Sequence, residues 1–245
     1  LLAENAFTNS AKTYGSIISI LTGKMPTRTQ VIYPPDILKG TDSYQHLPGI
    51  LKDLGYTNVQ IGVETYVDAN TWNMQNGFDI VNQQTANKDV LVRSLYWLGY
   101  DYPAIFILIV EERLAHRLFQ AFYLDTIPNP FTVVTTAREW WEDSQRLDDL
   151  LAVLEHTEGP VFAQVHMMGT HGPRFNPAQP VYSQGQEQYN DWMTDFYDDT
   201  ILAYDSLIGE LVASLKTTGQ YDHTILVLFS DHAVEFQARE RVPLI

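Results

Sequence analysis

The chain has 245 residues, is 45% hydrophobic and carries a net charge of −15, from 15 Lys and Arg against 30 Asp and Glu. That length supports one large domain with a full core, and the acidic balance argues against non-specific nucleic-acid binding, which runs on phosphate neutralisation. The absence of Cys removes disulfides, Cys-ligated zinc and a Cys nucleophile.

Leu1-Leu2-Ala3-Glu4 reads as starting inside an element, and residues 241–245 read as the start of a strand. The expectation is a single domain over 1–245, truncated at both ends. Ile17, Ile18, Ile20 and Leu21 predict a short buried helix that Gly23 and Pro26 terminate. Thr13 falls at or just before its first turn. There it serves either as an N-cap or as a hydroxyl held where free amides favour bound anions and a developing alkoxide.

Leu47, Ile50, Leu51 and Leu54 have helical spacing, Gly55 stops that helix, and residues 59–63 follow as a strand. Residues 72–81 read as an irregular segment over the sheet's active edge, either lining a pocket or packing at the surface. Residues 88–127 are apolar with few charges and read as an insertion on the domain rim. Its run at 104–110 is far shorter than the roughly 20 residues a bilayer span needs. It rests on the core, on a membrane surface or on a further part of the protein.

Residues 136–158 predict a charged helix with Trp140, Leu147, Leu150, Leu151 and Leu154 inward, broken by Gly159-Pro160. Residues 161–165 then read as a buried strand with histidines at its carboxyl end. His166 is a candidate core residue, and His171, in a Gly-flanked loop where backbone can approach a ligand closely, is the better site candidate. A loop over 174–190 leads to a long helix from Asp191 to about Lys216, with an apolar stripe that includes Ile201, Leu207, Leu211 and Leu215. Residues 225–229 are five apolar residues in a row, predicted as a strand buried on both faces, and the chain then turns polar at Ser230-Asp231-His232. A carboxylate beside an imidazole at a strand's carboxyl end supplies one hard and one borderline metal ligand.

Helix and strand alternate, and the strands read as more apolar than alternating. This predicts an α/β fold, doubly wound, with a mainly parallel sheet and helices on both faces. The polar stretches after Val165 and after Phe229 then share one sheet edge.

Three ordered motifs together resemble the alkaline phosphatase superfamily in its sulfatase-like branch. Thr13-x-x-Ser16 leading to Ile20-Leu21-Thr22-Gly23 has the spacing of the sulfatase nucleophile motif. His166-Met167-Met168-Gly169-Thr170-His171-Gly172-Pro173 resembles a segment of bacterial phosphoethanolamine transferases. Asp231-His232, with the Thr nucleophile, is similar to the same group and to lipoteichoic acid synthases. The chain departs from the formylglycine sulfatases at Thr13, Gly15 and Ile17, where they carry Cys or Ser, Pro and Arg. It departs from the transferases at Ala233-Val234-Glu235, where they carry Gly-Glu directly after the His.

The resemblance implies a metal-dependent hydrolase or transferase acting on phosphate or sulfate esters through a covalent Thr13 intermediate. It makes Asp231, His232 and the Thr13 hydroxyl metal ligands, with a further carboxylate from a strand upstream. His171 becomes the acid or oxyanion group, and His171 and Ser16 the substrate contacts. Zinc fits the Asp/His set first, and manganese, magnesium or calcium would fit an oxygen-rich site. The implied substrate is an ester of a lipid or a glycan. The implied location is the extracytoplasmic face of a bacterial membrane, with membrane association through upstream segments. The alternatives are a sulfate-ester hydrolase with an altered nucleophile and a non-catalytic binding module of the same fold.

Overall fold

Strand β1 (Thr57–Ile61) is the strand on which the sheet is built. It follows helix α3 (Leu47–Asp53) through Gly55, which takes a left-handed φ of 88° at the turn. On one side β1 pairs in parallel with β4 (Val161–Val165), from Thr57 opposite Val161 to Ile61 opposite Val165. On the other it pairs in parallel with β2 (Ile80–Val81), which forms an antiparallel hairpin with β3 (Gln84–Thr85). The order is β3-β2-β1-β4. Asn82 and Gln83 join the hairpin with φ of 49° and 65°, the two positive values that a tight primed turn requires. The structure is a computed structural model that describes residues 6–34, 36–63, 66–85 and 140–233, with scattered positions between 94 and 110. The rim insertion read at 88–127 lies almost wholly outside the described residues.

Helices cover both faces, as the α/β expectation required. On one face Leu147 and Leu150 of α4 (Trp140–His156) and Leu207, Leu211 and Leu215 of α5 (Thr194–Thr217) bury Val59 and Ile61. On the other, Ile17, Ile18 and Leu21 of α1 (Thr13–Thr22) pack with Trp72, Phe78 and Val81. Burying a side chain of this size stabilises by about 1.5–3 kcal/mol. Among the described residues no helix is long and apolar enough to cross a membrane.

Several expectations need correction. β1 spans 57–61 rather than 59–63, and it alternates. Its polar positions, Asn58 and Gln60, are buried with each amide nitrogen bonded: Asn58 Nδ2 donates to the Pro48 and Gly77 carbonyls, and Gln60 Nε2 donates to Gln164 Oε1 at 2.9 Å. Residues 72–81 are core rather than pocket lining, with Trp72 and Phe78 enclosed and Phe78 stacked near Phe162. The apolar stripe of α3 is exposed at Leu47, Ile50 and Leu54, because the helix turns Pro48 and Gly49 inward. Ile201 of α5 is likewise exposed.

The largest correction concerns residues 225–229. Among the described residues they join no ladder and carry only an isolated bridge at Phe229. Ile225 is 92% exposed and Val227 54%. An apolar run is buried on both faces only when strands flank it and helices cover it; among the described residues neither condition is met.

His46 caps α3 from a fully buried position. Its Nδ1 accepts the Gly49 N–H at 3.0 Å, which leaves the proton on Nε2 to donate to the Ser43 and Gln75 carbonyls. Burial holds its pKa below the usual histidine value, over the opposing effect of those carbonyls. Between the lowered folded value and the unfolded one, the unfolded chain binds a proton that the folded chain refuses. Stability is therefore full above about pH 6.5 and falls below it, by up to about 1.4 kcal/mol per pH unit. His46→Asn keeps a cap acceptor and is expected to flatten that part of the profile. Urea midpoints from pH 5 to 8 check this; superimposable profiles would exclude His46 as a source.

Candidate active site

The site forms where α1 begins and where β4 and the 225–229 segment end, at the carboxyl edge of the parallel strands. Lys12 holds the cap position of α1 with extended backbone and no side-chain cap bond, so Thr13 is the first helical residue and not the cap. Its hydroxyl is thereby free of the backbone, and Thr13 Oγ1 lies 3.2 Å from His232 Nε2. His232 Nδ1 donates to the Ala233 carbonyl at 2.9 Å, which fixes the tautomer and turns the Nε2 lone pair toward Thr13. Asp231 Oδ2 sits 3.5 Å from that same Nε2, is buried, and has no hydrogen-bond partner among the described residues.

Two hydroxyls pin this corner to α1. Thr8 Oγ1 donates to the Asp231 carbonyl at 2.7 Å, and Ser16 Oγ donates to the same oxygen in a very short bond. Ser16 is only 1% exposed and does not line the cleft. One helical turn after Thr13, its side chain faces the core and anchors the backbone of Asp231.

Thr13, His171 and His232 line one cleft of about 130 Å3, with Ala11, Lys12, Tyr14, Tyr33, Tyr66 and Met168 completing its wall. That is well below the roughly 300–1,000 Å3 that encloses a whole drug-sized ligand. It suits a compact group bonded at Thr13, with the rest of the substrate lying outward. His171 reaches the cleft from a turn in which its N–H donates to the Met168 carbonyl at 2.8 Å. His166 stays below, where burial holds its imidazole under the usual histidine range against the pull of Asp231 and Asp143. The Gly flanking His171 serves packing rather than ligand approach: a Cβ on Gly172 would lie 2.2 Å from the Trp192 ring.

Sequence reasoning missed Lys12, Tyr14, Tyr33 and Tyr66. Lys12 and Tyr14 flank Thr13 and could have been found by adjacency. Tyr33 and Tyr66 carry no local signal. Burial and the hydrogen bond to Tyr33 raise the Tyr66 pKa, and burial together with Asp36 raises that of Tyr14. Tyr14 and Tyr66 therefore act as neutral hydroxyls near pH 7. Lys12 supplies a cation to the wall.

Chemically the corner offers a hydroxyl, an imidazole nitrogen and an unpaired buried carboxylate oxygen facing one another. A buried carboxylate oxygen without a partner is costly, and a cation satisfies it. Among the described residues no cluster of three or more His, Asp or Glu is placed to hold an ion. Among the described residues the donors at this corner are two side chains plus the Thr13 hydroxyl, a mixed nitrogen and oxygen set.

An α/β fold with a parallel sheet and helices on both faces matches the alkaline phosphatase and sulfatase-like fold of the structural neighbours. Within it the chain belongs to the Sulfatase family, whose model matches residues 1–241. Members of this superfamily generally use divalent metals. Among solved structures the chain is similar to the phosphonate monoester hydrolase of Agrobacterium radiobacter, at 14% identity and a TM-score of 0.59, covering 99% of this chain and 60% of that one. It is similar to an alkaline phosphatase superfamily protein from Vibrio parahaemolyticus, at 16% identity and a TM-score of 0.53, covering 100% of this chain and 51% of that one. A 2-O glycosaminoglycan sulfatase matches at 14% identity and a TM-score of 0.55, over 100% of this chain and 56% of its own. The chain thus spans between half and two thirds of the length of these neighbours. No curated protein matches it.

Proposed function

We propose that this domain hydrolyses or transfers phosphate or sulfate esters through a covalent ester on Thr13. The observation that carries the reading is the 3.2 Å approach of Thr13 Oγ1 to His232 Nε2, beside the unpaired Asp231 oxygen. Asp231, His232 and the Thr13 hydroxyl would hold a divalent cation, zinc first by its Asp and His ligands. Bound there, the cation would lower the pKa of the hydroxyl toward neutrality. Thr13 oxygen then attacks phosphorus or sulfur, its proton passing to solvent, and the bond to the leaving oxygen breaks. His171 protonates that oxygen or stabilises the equatorial oxygens of the transferred group. Water or an acceptor alcohol attacks the Thr13 ester in the second step and restores the hydroxyl.

The reading extends to the setting. The substrate is an ester on a lipid or glycan, larger than the cleft, and the enzyme works on the extracytoplasmic face of a bacterial membrane. The family match favours sulfate esters; the Thr in place of Cys or Ser favours phosphate, because Thr cannot be converted to formylglycine by that route. Intact-protein and tandem mass spectrometry, after incubation with a divalent metal and a panel of phosphodiesters, phosphomonoesters and sulfate esters, tests both. A phosphate-containing adduct on Thr13 is expected. A sulfo adduct would select the sulfatase reading, and no adduct with no metal uptake would select the non-catalytic module.

A further inference from the structure

We propose that Asp143, a buried residue of α4, is the positioning residue for His171. The proposal rests on the role given to His171 above. Asp143 is 3% exposed, and its carboxylate is spent on the turn that carries His171. Its Oδ1 accepts the Met168 N–H at 3.0 Å, and its Oδ2 accepts the Gly169 N–H at 2.6 Å. The Met168 carbonyl in turn accepts the His171 N–H at 2.8 Å. Carboxylate, turn and imidazole-bearing residue are thus one hydrogen-bonded chain.

The carboxylate is itself held. Arg146, one turn along α4, donates to Oδ1 at 2.5 Å. Bonds from a charged acceptor to backbone amides are stronger than neutral ones, and a bidentate acceptor fixes direction as well as distance. Gly169 makes the approach possible: a Cβ there would lie 2.9 Å from Asp143 Oδ2 and 3.5 Å from the Tyr204 ring of α5. The turn is gripped between two helices that α/β packing has already fixed on the sheet. Since Asp143 lies one turn before Leu147, on the face of α4 that packs in the core, the His171 position is referred to the rigid body of the domain and not to its own loop.

Both oxygens of Asp143 act only as acceptors, toward two amides and a guanidinium. Asn at this position would present an NH2 group to one of those donors, so one bond is lost and a donor faces a donor. Displacement of a catalytic group by about 1 Å can cost on the order of 100-fold in rate. The expected result for Asp143→Asn in the intact protein is a kcat lowered by about 30–100-fold with little change in KM. Leu147→Ala, on the same helix and facing the core, controls for general destabilisation and should leave kcat within about 3-fold.

A double-mutant cycle with His171→Gln decides between positioning and an independent role. If Asp143 acts through His171, the double variant is no slower than His171→Gln alone, within about 3-fold. Multiplying losses would overturn the proposal, as would an unchanged kcat in Asp143→Asn. Should Asp143→Asn not fold, Gly169→Ala pushes the turn off the carboxylate and is expected to give the same rate loss and the same non-additivity. If His171→Gln turned over normally, the role given to His171 would fall, and positioning is then read directly. Side-chain 15N signals of His171 should shift in Asp143→Asn and not in Leu147→Ala; unshifted signals would overturn the positioning claim on their own.

Discussion

Thr13→Ala is expected to lower turnover by about 10^4-fold or more, while Thr13→Ser retains a measurable fraction. The loss corresponds to about 5.5 kcal/mol of transition-state stabilisation, the scale seen when a covalent nucleophile is deleted and the surrounding electrostatics remain. Among the described residues the structure gives the hydroxyl no other task. Lys12 holds the cap position, and Thr13 Oγ1 bonds there only to His232, at 3.2 Å. Removing it should therefore cost little stability, well under the ~1 kcal/mol typical of losing an N-cap. Steady-state kinetics and thermal melts on the same preparations check both halves. Unchanged turnover would exclude Thr13 as nucleophile. A large drop in melting temperature with proportionate loss of rate would make it a structural residue.

Asp231→Asn is expected to weaken divalent-metal retention by at least about 100-fold, above the 10–100-fold attached to partners that only orient a ligand. Its effect on the metal-free protein should have the opposite sign from most core substitutions. Asp231 Oδ2 is buried without a hydrogen-bond partner, so removing its charge relieves an unsatisfied group. The metal-free variant should be as stable as the wild type or more so, and the metal-loaded wild type more stable than either, because a cation that binds only the folded state adds to its stability. Metal analysis after dialysis, with melts at fixed metal concentrations, reads this. Equal metal content in the two proteins would remove Asp231 from the ligand set; a destabilised metal-free variant would give the carboxylate a structural role.

The polar residues of the site were legible because chemistry concentrates at short motifs. Thr13, His171, Asp231 and His232 each stand where an apolar element meets a polar turn, and the first, second and fourth line one cleft. Ser16 stood out by the same spacing, yet its function is set by which side of α1 it faces. A 10-residue helix has an inside and an outside, and Ser16 lies on the inside with its hydroxyl on the Asp231 carbonyl. Asp143 gave no signal among the charges of α4, since an inward carboxylate looks like an outward one until the amides it serves are brought to it from 25 residues away.

The sequence by itself determined α1 from its apolar cluster and terminating Gly23, α5 from its long stripe and β4 from its apolar run, and so the α/β class. These follow from local spacing, because the 3.6- and 2-residue periods and the turn residues act over a few positions. Only the tertiary structure decided which apolar faces are covered. The stripe of α3 and the run at 225–229 are as apolar as the core yet exposed, while Asn58 and Gln60 are polar and enclosed. Burial is a property of what packs against a segment, and buried polar groups are tolerated wherever partners arrive from distant parts of the chain. The same holds for the site. Its residue types were written locally, but the 3.2 Å between Thr13 and His232 spans 219 positions of sequence and exists only because the fold brings the start of α1 and the end of the 225–229 segment to one corner.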